Sequence, residues 1–465
     1  MFDLEKFADK AALITESSVI SYNELAFLSE KIGSTVSRRC LVFLFAENSI
    51  DSKAGYLGFM NHRIVSAMID PELNEESTKK LIEMYRPEFL FLPKNLQKNY
   101  PNTKEILNLE NYVLLSTEEK NPCSLNENLA LLMTTSGSTG SPKFVRQSFE
   151  NISSNTKSII EYLHIDEHER AVTNLPMHYV FGLSILNTHI FSGASVVVTK
   201  KTLFQKEFWD LVKNKGVTSF SGVPYTFEML ERLRFFRMKL PALKTIAQAG
   251  GKLDPDLHFK FADYADKNDK KFFVMYGAAE ATARMGYLPF ECSLKKCGSM
   301  GLAIPGGRFE LVDIDGKIIT APETSGELIY YGDNVALGYA ENGGDLVKDD
   351  ENHKRLETGD LAKFDDEGFY TIIGRKKRFL KMFGKRVSLQ EVEHILRQKF
   401  AAEFACSGVD DKMTIFTVDE CLIPEITPYI SKELNLHPSA FIVKFTEEIP
   451  KNSSGKIMYS ELDKN

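Results

Sequence analysis

Cysteine is scarce in this 465-residue chain, and what there is forms no pattern used in metal or disulfide chemistry. The six residues, Cys40, Cys123, Cys292, Cys297, Cys406 and Cys421, are scattered and make no CxxC pair, the spacing of zinc sites and dithiol centres. Free thiols of a reducing compartment are the expectation. No apolar run approaches the ~18 residues of a membrane-spanning helix. The opening MFDLEKFADK carries acids where a secretory signal would carry bases and then an apolar stretch, so a cytoplasmic location is expected. Positive charge is in deficit, with 57 Lys and Arg against 64 Asp and Glu and a net charge of −7. Nucleic-acid binding needs a basic face, so no such partner is expected.

Two common nucleotide-binding patterns are missing as well. No two glycines stand two apart, which excludes the dinucleotide fingerprint GxGxxG. Every Gly-Lys is followed by Leu, Ile or Arg, whereas a Walker loop requires Ser or Thr there.

The length exceeds what one hydrophobic core usually supports, so two or more domains are expected. Ser21 to Glu24 reads as a capping box before Leu25, Leu28, Ile32 and Val36 at helical spacing. LVFLF (41–45), a helix over 52–60, IVSAMID (64–70), a helix over 75–84 and a strand over 89–92 follow in alternation. The rhythm resumes with LALLM (129–133), SVVVTK (195–200), VTSFSGV (217–223) and KFFVMY (271–276) as buried strands. Such β/α alternation predicts an α/β fold with largely parallel sheets. From about 298 the texture turns to Gly-punctuated strands, FELVDIDGKII (309–319) and GELIYYG (326–332), predicting a β-rich subdomain. A second capping box, Ser388 to Glu391, opens a C-terminal stretch fit for a small α+β domain. The expected division is 1–374 and 375–465.

Chemistry concentrates in TTSGSTGSPK (134–143), directly behind the apolar LALLM. Gly137 and Gly140 let the backbone turn so that its N–H groups converge on phosphate oxygens. Thr135, Ser136, Ser138 and Thr139 add hydroxyl donors, and Lys143 adds a positive charge. A flexible Ser/Thr/Gly linker has the same composition, but linkers rarely sit behind a buried strand and end in Pro-Lys before another β-like run, FVRQS (144–148).

This loop resembles the phosphate-loop signature of the adenylate-forming superfamily, which includes acyl-CoA synthetases, peptide-synthetase adenylation domains and beetle luciferases. Four further segments match in the family's order. YGAAEAT (276–282) is similar to the Tyr-Gly-x-x-Glu segment, implying that Tyr276 stacks on adenine, Gly277 lines the nucleotide site and Glu280 binds magnesium. Here the chain departs from the pattern: Ala279 stands where the family usually has a threonine that meets the α-phosphate. AQAGGKL (247–253) resembles the adenine-side strand end, so Ala249, Gly250 and Gly251 are implied to line the nucleotide and acyl pockets. TGD (358–360) resembles the ribose motif, with Asp360 and then Arg375 as the implied ribose contacts. PKNSSGKI (450–457) resembles the C-terminal catalytic loop, making Lys456 the implied catalytic lysine. The family's hinge falls on Lys377, and the region of Gly384 is implied to shape a thiol channel once the small domain has turned.

The resemblance implies ATP-dependent activation of a carboxylic acid to an acyl-adenylate with release of pyrophosphate, then acyl transfer to CoA. ATP, Mg2+ and CoA are the implied cofactors, with carrier-protein phosphopantetheine as the alternative acceptor and an acyl carrier protein as the alternative partner. MHYVFGLS (177–184), SGVPY (221–225) and the 249–251 turn are expected to line the acyl pocket, His178 among them; a packed core histidine is the other reading of that residue. Amino-acid-activating relatives place an aspartate in this neighbourhood. None lies between Ala171 and Thr199, which disfavours α-amino acids. A non-catalytic nucleotide-binding relative is the reading Ala279 favours, and a luciferase-like oxidase is a third.

Overall fold

A computed structural model describes residues 1–36, 38–134, 143–383, 385–451 and 457–462, without the side chains of Lys377, Arg386 and Ser460. The chain is mixed α/β, with a large N-terminal and a smaller C-terminal domain. By packing, one compact unit runs from Met1 to the segment 135–142, on to Arg308, and takes in Tyr330–Leu356. The other holds Phe309–Ile329 and the chain from Glu357 onward. Packing therefore groups 309–329 with the C-terminal residues, a boundary different from the expected division at 374/375.

The first unit is built on two sheets. One has eight strands in the order Gly338–Ala340, Phe144–Ser148, Leu129–Thr134, Val65–Ile69, Leu41–Phe45, Phe89–Pro93, Tyr112–Ser116 and Lys104–Asn108. Its centre is parallel: Leu41–Phe45 lies between Val65–Ile69 and Phe89–Pro93, and Val65–Ile69 also pairs with Leu129–Thr134. Every residue of LVFLF and VSAMI is buried, as expected of parallel strands covered on both faces. The other sheet has nine strands, ordered Leu302–Ala303, Gly286–Leu288, Lys271–Tyr276, Thr245–Gln248, Ser219–Gly222, Arg170–Val172, Ser195–Val197, Ala11–Ile14 and Val19–Ser21.

A single apolar cluster reaches strands of both sheets through the helices Tyr22–Thr35, Ile50–Asn61 and Val180–Phe191. Helix Ile50–Asn61 is buried from Asp51 to Met60 and so has no solvent face. Ser21 caps its helix as the sequence predicts, its hydroxyl accepting the Glu24 N–H at 3.2 Å while the Glu24 carboxylate accepts the Ser21 N–H at 2.7 Å.

Two strands end well before the residues predicted for their ends. Beyond Val197 the backbone leaves the ladder, and the Thr199 N–H turns to the Thr173 hydroxyl at 3.0 Å. FELVDIDGKII stops as a strand at Val312, because Asp313 Oδ1 accepts the N–H groups of Asp315 and Lys317 and folds them into a turn.

In the second unit, Arg355–Phe364 pairs antiparallel with Tyr370–Arg375, and the hairpin Phe379–Met382/Lys385–Ser388 follows. Strands Phe404–Val409, Lys412–Thr417 and Phe441–Phe445 form a sheet whose core includes Val392, Leu396, Ile415, Ile426 and Ile430, the helices being Leu389–Phe400 and Ile423–Leu434. The second capping box forms by one half: the Ser388 hydroxyl accepts the Glu391 N–H at 3.3 Å, while Ser388 itself closes a strand opposite Phe379.

Candidate active site

Ligands of parallel α/β sheets collect beyond the carboxyl ends of the strands. In the first unit those ends carry Asp70 after Val65–Ile69, Ala249–Gly251 after Thr245–Gln248, and Gly277–Glu280 after Lys271–Tyr276.

Lys143 stands at the start of Phe144–Ser148, and its ammonium lies 3.6 Å from the ring centroid of Tyr339. The Tyr339 hydroxyl in turn donates to Glu280 Oε1 at 2.6 Å. Strand pairing brings this about, since Gly338–Ala340 lies antiparallel to Phe144–Ser148 with Tyr339 opposite Val145. The completely buried Arg146 pins the same strand: its guanidinium donates to the Tyr339 carbonyl at 3.1 Å, to the Leu337 carbonyl at 3.0 Å and to Glu351 Oε2 at 2.5 Å. Glu280 belongs to the short helical turn Ala279–Ala281, held by Gln147 Nε2 on the Ala279 carbonyl at 3.0 Å and by the Ala336 N–H on the Glu280 carbonyl at 2.9 Å. A cation, a phenol and a carboxylate are thus collected from three separated segments.

At the neighbouring strand end, Gln248 Nε2 donates to the Gly251 carbonyl at 2.9 Å and curls the turn back. Gly250 has φ +89°, and a Cβ there would come 2.5 Å from Tyr179 Oη, so only glycine fits. The reason for Gly277 is different. A Cβ on it would lie 1.9 Å from the Ala283 carbonyl oxygen, so a backbone crossing excludes any side chain. Tyr276 is the last residue of its strand, opposite Gly286.

His178 is largely buried, with Nδ1 lying 3.5 Å from the Ala46 carbonyl and Nε2 3.6 Å from Asp70 Oδ2. A small cavity of about 30 Å³ lies along the nine-stranded sheet. Phe181, Ser184, Ser221 and Ala247 line it, as does Arg284. His178 and Gly250 are not among its walls.

Within the second unit Asp360 and Arg375, predicted as the ribose pair, stand in register on adjacent strands, with Arg375 Nε donating to Asp360 Oδ1 at 3.1 Å. Lys377 lies in the turn Lys376–Arg378. Its neighbour Arg378 donates to Glu393 Oε1 at 2.8 Å and covers the Tyr459 ring at 3.6 Å. Thr135, Ser136, Gly137, Ser138, Thr139 and Gly140, together with Gly384 and Lys456, lie outside the described residues. Among the described residues no group of three His, Cys, Asp or Glu side chains could hold a metal ion, and no helix is long and apolar enough to cross a membrane.

A family model described as "AMP-binding enzyme" matches residues 3–340. The chain belongs to the AMP-binding enzyme family. This AMP-binding enzyme is 29% identical over 348 residues to the 2-succinylbenzoate–CoA ligase of Bacillus licheniformis, covering 72% of the chain and 70% of the relative. It is 26% identical over 488 residues to 4-hydroxybutyrate–CoA ligase 1 of Metallosphaera sedula, covering 97% and 85%. Its fold is similar to that of the o-succinylbenzoate coenzyme A synthetase of Bacillus subtilis solved with ATP and magnesium ion, with a TM-score of 0.79, 22% identity, and 99% and 98% of the two chains covered.

Tyr339, Arg146 and Arg284 were not read from the AMP-binding enzyme's sequence. Each acts through partners distant along the chain; Tyr339 and Glu280 are 59 residues apart. Only Arg284 leaves a local trace, as a lone cation in the apolar run ATARMGYL (281–288).

Proposed function

We propose that this chain activates a small-molecule carboxylic acid with MgATP, giving an acyl-adenylate and pyrophosphate, and then passes the acyl group to the thiol of CoA in the cytoplasm. The observation that carries this reading is the Lys143–Tyr339–Glu280 array beside the strand ends of an AMP-binding enzyme. Relatives named as CoA ligases support it.

The chemistry is governed by charge. A carboxylate approaching a triphosphate meets repulsion of roughly 4 kcal/mol per pair of unit charges at ~4 Å and an effective dielectric of 20. Lys143 and Lys456 offset that repulsion at the phosphates. An acid oxygen attacks the α-phosphorus, the bond from that phosphorus to the bridging oxygen breaks, and pyrophosphate leaves; the thiol sulfur then attacks the acyl carbon and AMP departs. Positioning and electrostatics supply most of such a rate enhancement.

Glu280 fits a magnesium ion. Magnesium on nucleotide phosphates takes only one or two protein carboxylates; Glu280 has one oxygen held by Tyr339 and forms no ion pair with a described residue. Bound there, the ion would neutralise phosphate charge. Asp360 and Arg375 take the ribose, Tyr276 the adenine, and the 249–251 turn with His178 the acid's carboxyl end. Residues 375–465 pivot near Lys377, withdrawing Lys456 after adenylation and bringing the Gly384 region to the thiol.

Exchange of labelled pyrophosphate into ATP, run acid by acid, tests the first step. Turnover with CoA against a holo-carrier protein tests the acceptor. Exchange with no acid in a broad panel would end the assignment.

A further inference from the structure

Arg284 is a buried cation of the first unit that forms no ion pair with a described residue. Arg284 is 3% exposed and lines the cavity between the nine-stranded sheet and the helices Phe149–Leu163 and Val180–Phe191. Its backbone is clamped, the carbonyl accepting from Asn155 Nδ2 at 2.9 Å and from Asn334 Nδ2 at 2.8 Å. The guanidinium lies 3.9 Å from the Phe181 ring centroid and donates to the Ala283 carbonyl at 3.2 Å. Its Nε finds no acceptor. The ionisable groups acting on it are the phenols of Tyr162 and Tyr179, not carboxylates.

An arginine keeps its charge in a protein, and a buried charge without a counter-ion is costly. The rest of the cavity wall does not supply one. Ser184, Ser219, Ser221 and Thr188 present hydroxyls, and burial holds the His189 imidazole in its neutral form. The one acid in the wall, Glu169, is engaged by the Thr218 hydroxyl. The guanidinium fork suits a carboxylate bidentately.

The cavity also shares a strand with the turn proposed to hold the acid's carboxyl end. Ala247 in its wall precedes Gly250 by three residues, about 10 Å along an extended strand. We infer that the acid activated here carries a second carboxylate, separated from the first by a short aliphatic or aromatic spacer, which pairs with Arg284 in the wall of this cavity. The inference rests on the acid-activating reading above and names the substrate class within it.

The experiment is pyrophosphate exchange by the full chain with matched acids: butyrate to octanoate against the α,ω-dicarboxylates of equal length, and benzoate against the benzenedicarboxylates. The dicarboxylates are expected to exceed their partners by about 10²-fold or more in kcat/KM, because a site built for a polar group rejects the analogue that lacks it. Arg284→Met should remove that preference by lowering kcat/KM for the dicarboxylates to the level of their monocarboxylate partners. Monocarboxylates exchanging as well as dicarboxylates in the unmodified protein would overturn the inference, whether or not the variant folds. Exchange with neither kind counts against acid activation itself and so is a distinct result.

Discussion

The Tyr339 phenol donates to the Glu280 carboxylate at 2.6 Å while its ring carries the Lys143 ammonium at 3.6 Å. One side chain therefore orients the carboxylate proposed to hold magnesium and the cation proposed to meet phosphate, and keeps them from collapsing into an ion pair with each other.

Tyr339→Phe keeps the ring beneath Lys143 and removes only the hydroxyl. Groups that orient a metal-binding side chain are commonly worth 10–100-fold in affinity or activity. Because this pair is exposed to solvent, the expected effect is at the low end, about a 10-fold rise in the magnesium concentration giving half-maximal pyrophosphate exchange. An unchanged magnesium titration would show that the hydroxyl does not position Glu280.

Lys456→Ala should lower acyl-adenylate formation by about 10²–10³-fold, the usual loss for one transition-state donor. Thioester formation from synthetic acyl-adenylate and CoA should be nearly unaffected, because the proposed pivot withdraws the lysine before that step. Equal losses in the two half-reactions, measured separately, would contradict a pivot at Lys377.

Arg146 is a stability residue. It is fully buried and donates to four carbonyls, those of Leu337, Tyr339, Lys348 and Asp349, as well as to Glu351. Arg146→Met removes these five hydrogen bonds at once and should cost about 3 kcal/mol. Urea denaturation followed by far-UV circular dichroism measures it, and a midpoint within error of the parent's would refute the accounting.

Acid should destabilise the fold in a defined window. Burial lowers His189 and His258 from 6.5 to about 4. His258 is also committed as a neutral ring, with Nδ1 accepting the Gly298 N–H at 3.1 Å and Nε2 donating to the Ser293 hydroxyl at 3.0 Å. As pH falls through 6.5 the unfolded chain takes up these protons and the folded chain does not until about pH 4. Stability from these two residues is therefore constant above about 6.5 and declines between 6.5 and 4, by up to about 3 kcal/mol for each. His258→Gln should flatten the slope of denaturation free energy against pH in that interval; an unaltered slope would exclude it as a source.

Much of this molecule was legible from local order. Buried strands such as LVFLF and KFFVMY need only an apolar run of the right length, and the Ser21 cap needs only residues three apart. Asp360 and Arg375 were paired by motif and prove to be cross-strand neighbours. The strand ends at Val197 and Val312 were misjudged because a side chain, Thr173 or Asp313, competed for the backbone N–H groups.

By itself the sequence determined the α/β class and the family, through periodicities and short motifs that depend on neighbours a few residues away. Only the tertiary structure decided that Tyr339 meets Glu280, that Arg146 is a buried brace, and that Arg284 lines a cavity without an ion-pair partner among the described residues. The physical reason is that hydrogen bonding and charge burial are set by which segments pack together, and the partners in these cases come from separate strands and turns.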